Sequence, residues 1–161
     1  MVKKLYLVRH ATAEETQSGF KDIDRNLNAT GLRDANRLGN FLASNQIMPD
    51  MVISSDAIRA QQTAQVIAEQ IKFTFSKIKV DADIYEASVR TLLRVINEFE
   101  NGDEVLLVAH NPGITFLAEY LTGENVGNMA PGSLTVIKLQ ANSWKEISEK
   151  TGSLESIRHP D

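Results

Sequence analysis

The chain has 161 residues, no cysteine, 42% hydrophobic and 24% charged residues, and a formal net charge of −4. Those values fit one soluble globular domain over residues 1–161, long enough to bury a sizeable core without covalent or metal staples. They argue against disulfides, a thiol nucleophile or a cysteine metal site, and the acidic balance argues against a nucleic-acid partner.

No apolar run approaches the ~20 residues that a bilayer span needs. The basic start, Met1-Val2-Lys3-Lys4, leads into an apolar run too short for a secretory signal, and no small-residue cleavage site follows. A cytoplasmic protein without a membrane partner is therefore expected. Nothing in the pattern asks for an obligate oligomer, so a monomer is expected too.

Lys4 to Arg9 reads as a strand, and the polar stretch from Ala11 to Asn28 as a long loop. Thr30 can cap a helix with Leu32, Ala35, Leu38 and Leu42 on one face. Met51 to Ile53 is a short strand. Ser54 or Ser55 can cap the next helix, whose apolar stripe is Ala60, Ala64, Ile67 and Ile71. Ile78 to Val80 is read as a further short strand. Ser88 is the cap of a third helix carrying Val89, Leu92, Leu93, Ile96 and Phe99. Val105 to Ala109 is a continuous apolar run, as expected of a strand covered on both faces. Asn111 and Pro112 supply an N-cap and a first-turn proline to a helix that buries Ile114, Leu117, Ala118 and Leu121. Leu134 to Leu139 and Trp144 to Ile147 read as a closing hairpin. Strands alternating with helices predict an α/β fold of three layers, with a mostly parallel central sheet flanked by helices.

The first strand ends in Arg9-His10, the second leads into a helix with Arg59 in its opening turn, and the Val105 run ends in His110. In open parallel sheets ligands bind beyond the carboxyl ends of the strands, where helix N-termini also aim unpaired N–H groups. If these strands are neighbours, two arginines and two histidines converge on a pocket suited to a dianion, and arginine's planar fork suits phosphate oxygens. A neutral imidazole can attack phosphorus, with its Nδ1–H held on a backbone carbonyl and Nε2 left free. A second, protonated histidine would complete a cationic cage. A lone histidine at a strand end is more often structural than catalytic, and Arg59 alone reads as a solvated helix residue that opposes its own helix dipole. Their recurrence at three strand ends favours the functional reading.

These segments resemble the histidine phosphatase superfamily, the phosphoglycerate mutase-like fold. "LVRHATAEE" is similar to its Arg-His-Gly signature, "RNLNATGLRDANRLGNFL" to its R-x-L-T-x-x-G helix entry, and "SSDAIRAQQTA" to its S-x-x-x-R-A-x-Q-T-A segment. "YEAS", "LLVAHNPGITFLAEYL" and "PGSLTVIKL" followed by Trp144 resemble the small branch named for the SixA phosphohistidine phosphatase. The resemblance implies that His10 is a nucleophile that becomes a phosphohistidine, that Arg9 and Arg59 clamp phosphoryl oxygens, and that His110 is the second pocket histidine. Asn111 is expected among the substrate-binding residues. Glu86 occupies the place of the proton donor, with an ordinary surface carboxylate as the equal alternative. Ala11 replaces the family's glycine, so a close approach or a positive φ there would be felt.

The expected activity is a metal-independent phosphatase with no cofactor, acting on a phosphorylated protein such as a phosphohistidine domain. The alternatives are a small-molecule phosphomonoesterase and a phosphoprotein-binding module without turnover. Mutase activity is disfavoured, because the short stretch between Ile84 and Ser88 leaves little room for a lid. Arg25 is read as solvating its loop, with the pocket rim as the alternative, and His159 as an exposed tail residue. "DIDRNLN" starts like a calcium loop, but Leu27 and Arg33 stand where that loop needs glycine and glutamate.

Overall fold

The computed structural model describes residues 2–160. Six strands, β1 (Val2–Arg9), β2 (Met51–Ser54), β3 (Lys79–Val80), β4 (Glu104–Ala109), β5 (Leu134–Gln140) and β6 (Gly152–Arg158), form one sheet in the order β3-β2-β4-β1-β5-β6. The pairs β3-β2, β2-β4 and β4-β1 are parallel, while β5 and β6 add antiparallel partners at one side. Among the described residues four α-helices accompany it: α1 (Ala29–Ser44), α2 (Ile58–Ile71), α3 (Val89–Asn97) and α4 (Gly113–Thr122). The mostly parallel three-layer α/β arrangement expected from the sequence is the one observed.

Strand periodicity divides the core into two. Leu5, Leu7, Val105 and Leu107 point to one face and pack with Leu92, Ile96, Ile114 and Leu117 of α3 and α4. Tyr6, Val8, Leu106 and Val108 point to the other and pack with Leu38, Leu42, Ala60, Ala64 and Ile67 of α1 and α2. With side chains alternating along a strand, an uninterrupted apolar run is what a strand between two helical layers requires.

This layering fixes where a ligand can go. After β1 the chain crosses to α1 on one face, and after the neighbouring β4 it crosses to α4 on the other. A crevice opens where adjacent parallel strands send their chains in opposite directions. The register pairs Arg9 with Ala109, so His10 and His110 leave the sheet side by side.

Several local expectations are corrected. The cap of α1 is Asn28, whose side chain accepts from Gly31 N–H at 2.8 Å, and Thr30 lies inside the helix. Leu32 faces outward, 43% exposed. Helix α2 follows Ala57 without a side-chain cap. Asn111 does not cap α4, which begins after a cis Asn111-Pro112 bond. Ser88 does cap α3, accepting from Thr91 N–H at 3.3 Å. Trp144–Glu146 is a 3-10 turn, and the partner of β5 is the later strand Gly152–Arg158. The Trp144 segment was misread because its apolar side chains pack into the core as a turn does, while the true strand alternates exposed and half-buried residues.

Candidate active site

His10 follows the last residue of β1, and His110 the last residue of β4. Arg9 is the end of β1 itself, and Arg59 sits in the first turn of α2. All four line one cavity of about 390 Å³, together with Arg25, Glu86 and Asn111. A larger cavity, about 890 Å³, lies among Met51, Phe73, Lys79 and Gly102 at the amino ends of β2 and β4 and holds none of the candidate residues.

The His10 ring is 8% exposed, and its Nδ1 lies 2.7 Å from the carbonyl of Ala11. A carbonyl only accepts, so Nδ1 carries the proton and Nε2 keeps its lone pair. The N–H at Nε of Arg59 approaches that lone pair at 3.4 Å, close to the outer limit of a hydrogen bond. Ala11 is fully buried, donates its N–H to Thr63 Oγ1 at 3.1 Å, and is not among the residues with positive φ. The methyl that replaces the family's glycine therefore fits without backbone strain.

His110 stands 5.0 Å from His10 between ring centroids, and its Nε2 lies 2.7 Å from Ser55 Oγ. Burial pushes the His10 pKa down to about 4, and the Arg59 and Arg9 guanidiniums lower it further. Burial, with His10 and Arg59 next in importance, pushes His110 down to about 3. Both imidazoles are thus neutral at neutral pH in the free protein. The protonation on which a cationic role for His110 depended is thus disfavoured in the free protein, where the arginines carry the positive charge.

Arg9 is held by its Nη1, which donates to the Met129 carbonyl at 2.9 Å. Arg59 donates from Nη1 to the Asp22 carbonyl at 2.8 Å and from Nη2 to Asp22 Oδ2 at 3.0 Å. Arg25 Nε donates to the other oxygen, Asp22 Oδ1, at 3.0 Å, and Tyr85 Oη donates to Oδ2 at 2.5 Å. The Tyr85 hydroxyl, followed by the Arg59 guanidinium, holds the Asp22 carboxyl down at about 2. Asp22 is thus the anion that offsets the conflict between Arg59 and the dipole of α2.

Two residues that line the cavity each carry a buried polar atom, Arg9 Nε and His110 Nδ1, with no hydrogen-bond partner among the described residues. Buried polar atoms are nearly always paired. The other unpartnered ones are on Asp34, Asp56, Thr135 and Arg158, away from the cavity; two on residues of one wall, beside two further arginines, make an arrangement suited to an oxyanion.

Glu86 is exposed, has a left-handed φ of 53°, and lines both the cavity and an adjoining groove of about 750 Å³ floored by Val89, Pro112 and Phe116. Asn111 lines the cavity, but its amide hydrogens are spent on Asn128 Oδ1 at 2.8 Å and the Met129 carbonyl at 2.9 Å. It acts as a strut: the same Met129 carbonyl also holds Arg9. For Arg25 the alternative reading holds, since it belongs to the cavity wall. Asp22, Tyr85 and Ser55 were missed. Asp22 carries one usable signal, a carboxylate three residues before Arg25 in a loop long enough to reach the strand ends.

Among the described residues, no group of three or more His, Cys, Asp or Glu side chains could hold a metal ion, and no helix is long and apolar enough to cross a membrane.

Comparison with known proteins adds family and fold. The family model described as "Histidine phosphatase superfamily (branch 1)" matches residues 5–92. A structure assigned as the phosphohistidine phosphatase SixA of Agrobacterium tumefaciens is 26% identical, with a TM-score of 0.85 and 98% of each chain covered. An uncharacterised chloroplastic protein of Arabidopsis thaliana is 25% identical over 99% of this chain and 78% of its own length. A broad-specificity phosphatase of Saccharomyces cerevisiae is 34% identical over 43% of this chain and 31% of its own.

Proposed function

The chain belongs to the histidine phosphatase superfamily, branch 1, and from that premise we propose that it is a phosphatase working through a phosphohistidine on His10, with arginines in place of a metal. The observation that carries this reading is the pair of unpartnered buried atoms, Arg9 Nε and His110 Nδ1, in the wall that also holds the lone pair of His10.

In the first step His10 Nε2 forms a bond to phosphorus while the bond from phosphorus to the leaving group breaks. The leaving group departs with that electron pair and takes a proton, with Glu86 at the lip as its source. Arg9, Arg59 and His110 Nδ1 face the oxygens on which charge gathers. In the second step a water oxygen bonds to phosphorus, the P–N pair returns to His10, and Glu86 takes one proton from the water. Inorganic phosphate leaves.

The preferred substrate is a phosphorylated protein, with phosphohistidine as the leading case. The groove floored by Val89, Pro112 and Phe116 runs on from the cavity through Glu86, His110 and Asn111, and Phe116 is 53% exposed. A cavity opening onto such a groove suits a phosphorylated side chain carried on a surface. A protonated imidazole is also a good leaving group, which fits a proton donor as exposed as Glu86. A small phosphomonoester is the second reading, supported by the cavity's modest volume of about 390 Å³.

The test is a panel of phosphohistidine protein, phosphoserine and phosphotyrosine peptides and sugar phosphates, scored by kcat/KM. The phosphohistidine protein is expected to lead by at least an order of magnitude. A lead for a sugar phosphate would overturn the protein-substrate reading, and binding without turnover of any member would overturn the enzyme itself.

A further inference from the structure

Ser55 is fully buried, at the carboxyl end of β2 beside β4. Its hydroxyl oxygen makes two contacts: it accepts from Ala57 N–H at 3.0 Å, and it lies 2.7 Å from His110 Nε2. The second contact can run either way, because a hydroxyl both donates and accepts and a neutral imidazole has one nitrogen of each kind. The two directions are not equivalent here. If Nε2 donated, the Ser55 oxygen would accept twice, and its own proton would be left in the core with no acceptor among the described residues. A buried donor left without an acceptor forfeits its hydrogen bond to water with nothing in return. If Ser55 donates, every group at this end is satisfied.

We propose that Ser55 is a positioning residue that fixes His110 as the Nδ1–H tautomer, so that the ring turns a donor, and not a lone pair, toward the transferring group. The proposal rests on the phosphoryl-transfer reading for its purpose and on the Ser55–His110 contact for its geometry. Burial of His110, 7% exposed, keeps it neutral in the free protein, and a neutral imidazole in the wrong tautomer would aim a lone pair at an anion. The wrong tautomer would replace attraction by repulsion where a proton and a phosphoryl oxygen should meet. The unpartnered state of Nδ1 is then the counterpart of the satisfied Nε2, because one nitrogen is held by the core and the other is kept for the ligand. Histidine alone does not dictate this choice. The serine one position past the second strand does, and only the sheet order β2-β4-β1 brings it to the ring.

The experiment is long-range nitrogen–proton NMR of the three imidazoles at neutral pH, assigned with His110→Gln and His159→Gln variants, on the wild type, Ser55→Ala and Ser55→Thr, with kcat/KM measured in parallel. In the wild type His110 is expected to show a protonated Nδ1 and an unprotonated Nε2. Ser55→Ala is expected to shift the ring toward the Nε2–H form and to lower kcat/KM about tenfold, less than the loss of a whole oxyanion donor because the tautomer is biased and not abolished. Ser55→Thr keeps the hydroxyl and is expected to retain both the spectrum and most of the activity. A wild-type His110 protonated at Nε2 would overturn the proposal, and that spectrum is readable even if Ser55→Ala fails to fold. An unchanged tautomer in a folded Ser55→Ala would overturn it as well. Failure of the phosphatase reading would register separately, as absence of turnover in a wild type whose His110 tautomer is as expected.

Discussion

A histidine moved out of water without a counter-charge gives up its proton. His10 and His110 are both buried, with folded-state pKa values near 4 and 3, below the ordinary value of 6.5. Burial is the largest cause at each, and nearby arginines add to it. The same environment that leaves Nε2 of His10 with a free lone pair therefore makes the fold sensitive to acid. Below pH 6.5 the unfolded chain binds protons that the folded chain refuses, so stability falls as pH drops toward 4. The loss should reach a few kcal/mol at pH 4. Denaturant melts of the wild type and of a His10→Gln, His110→Gln double variant across pH 7.5 to 4 measure it: the wild type should lose stability more steeply, and parallel curves would refute the assignment of neutral, buried imidazoles. Near pH 7 the protein keeps the full benefit of both neutral rings. Asp22, held near 2 by Tyr85 and Arg59, loses its contribution only in stronger acid.

At the scale of elements, the site is a matter of close approach. Helix α4 begins at Gly113, where an added Cβ would lie 2.2 Å from the carbonyl of Ala87. That contact presses the start of α4 against the Glu86-Ala87 segment and so sets the lip between the cavity and its groove. Gly113→Ala should cost about 1–3 kcal/mol, as overpacking does, and should lower kcat/KM by displacing Glu86. Thermal melts and turnover check both, and a variant with wild-type stability would show that the two segments are free to separate. Most elements could be read from the chain because their apolar spacing is that of the observed helices and strands. The readings that failed turn on backbone details. Asn28, and not Thr30, caps α1, and the Trp144 turn lies where a strand was expected. The convergence of Arg9, His10, Arg59 and His110 on one cavity could be read from the chain because each sits at a strand end or in the first turn of a helix. Ser55, Asp22 and Tyr85 were not, because their roles depend on partners 55, 37 and 63 residues away, and no local pattern reports such contacts.

At the scale of the molecule, topology creates the function that is proposed. Neighbouring strands β1 and β4 send their chains to opposite faces, and parallel register sets His10 beside His110. The first turn of α2 then adds Arg59, while the long loop after β1 returns with Asp22 and Arg25 to hold it. Charged or chargeable side chains from three distant segments, Arg9-His10, Arg59 and His110, meet because the sheet order is β2-β4-β1. The short connection through Tyr85 and Glu86 leaves the site open to the groove beside Phe116. In the proposed reaction His10 carries the phosphoryl group during turnover. Rapid quench into alkali with a phosphorus-labelled ester, followed by peptide mapping, tests it most directly. The expected result is a burst of acid-labile, alkali-stable label approaching one per chain, on Nε2 of His10. Turnover with the label on another residue, or with no label bound to the protein at any time, would contradict it.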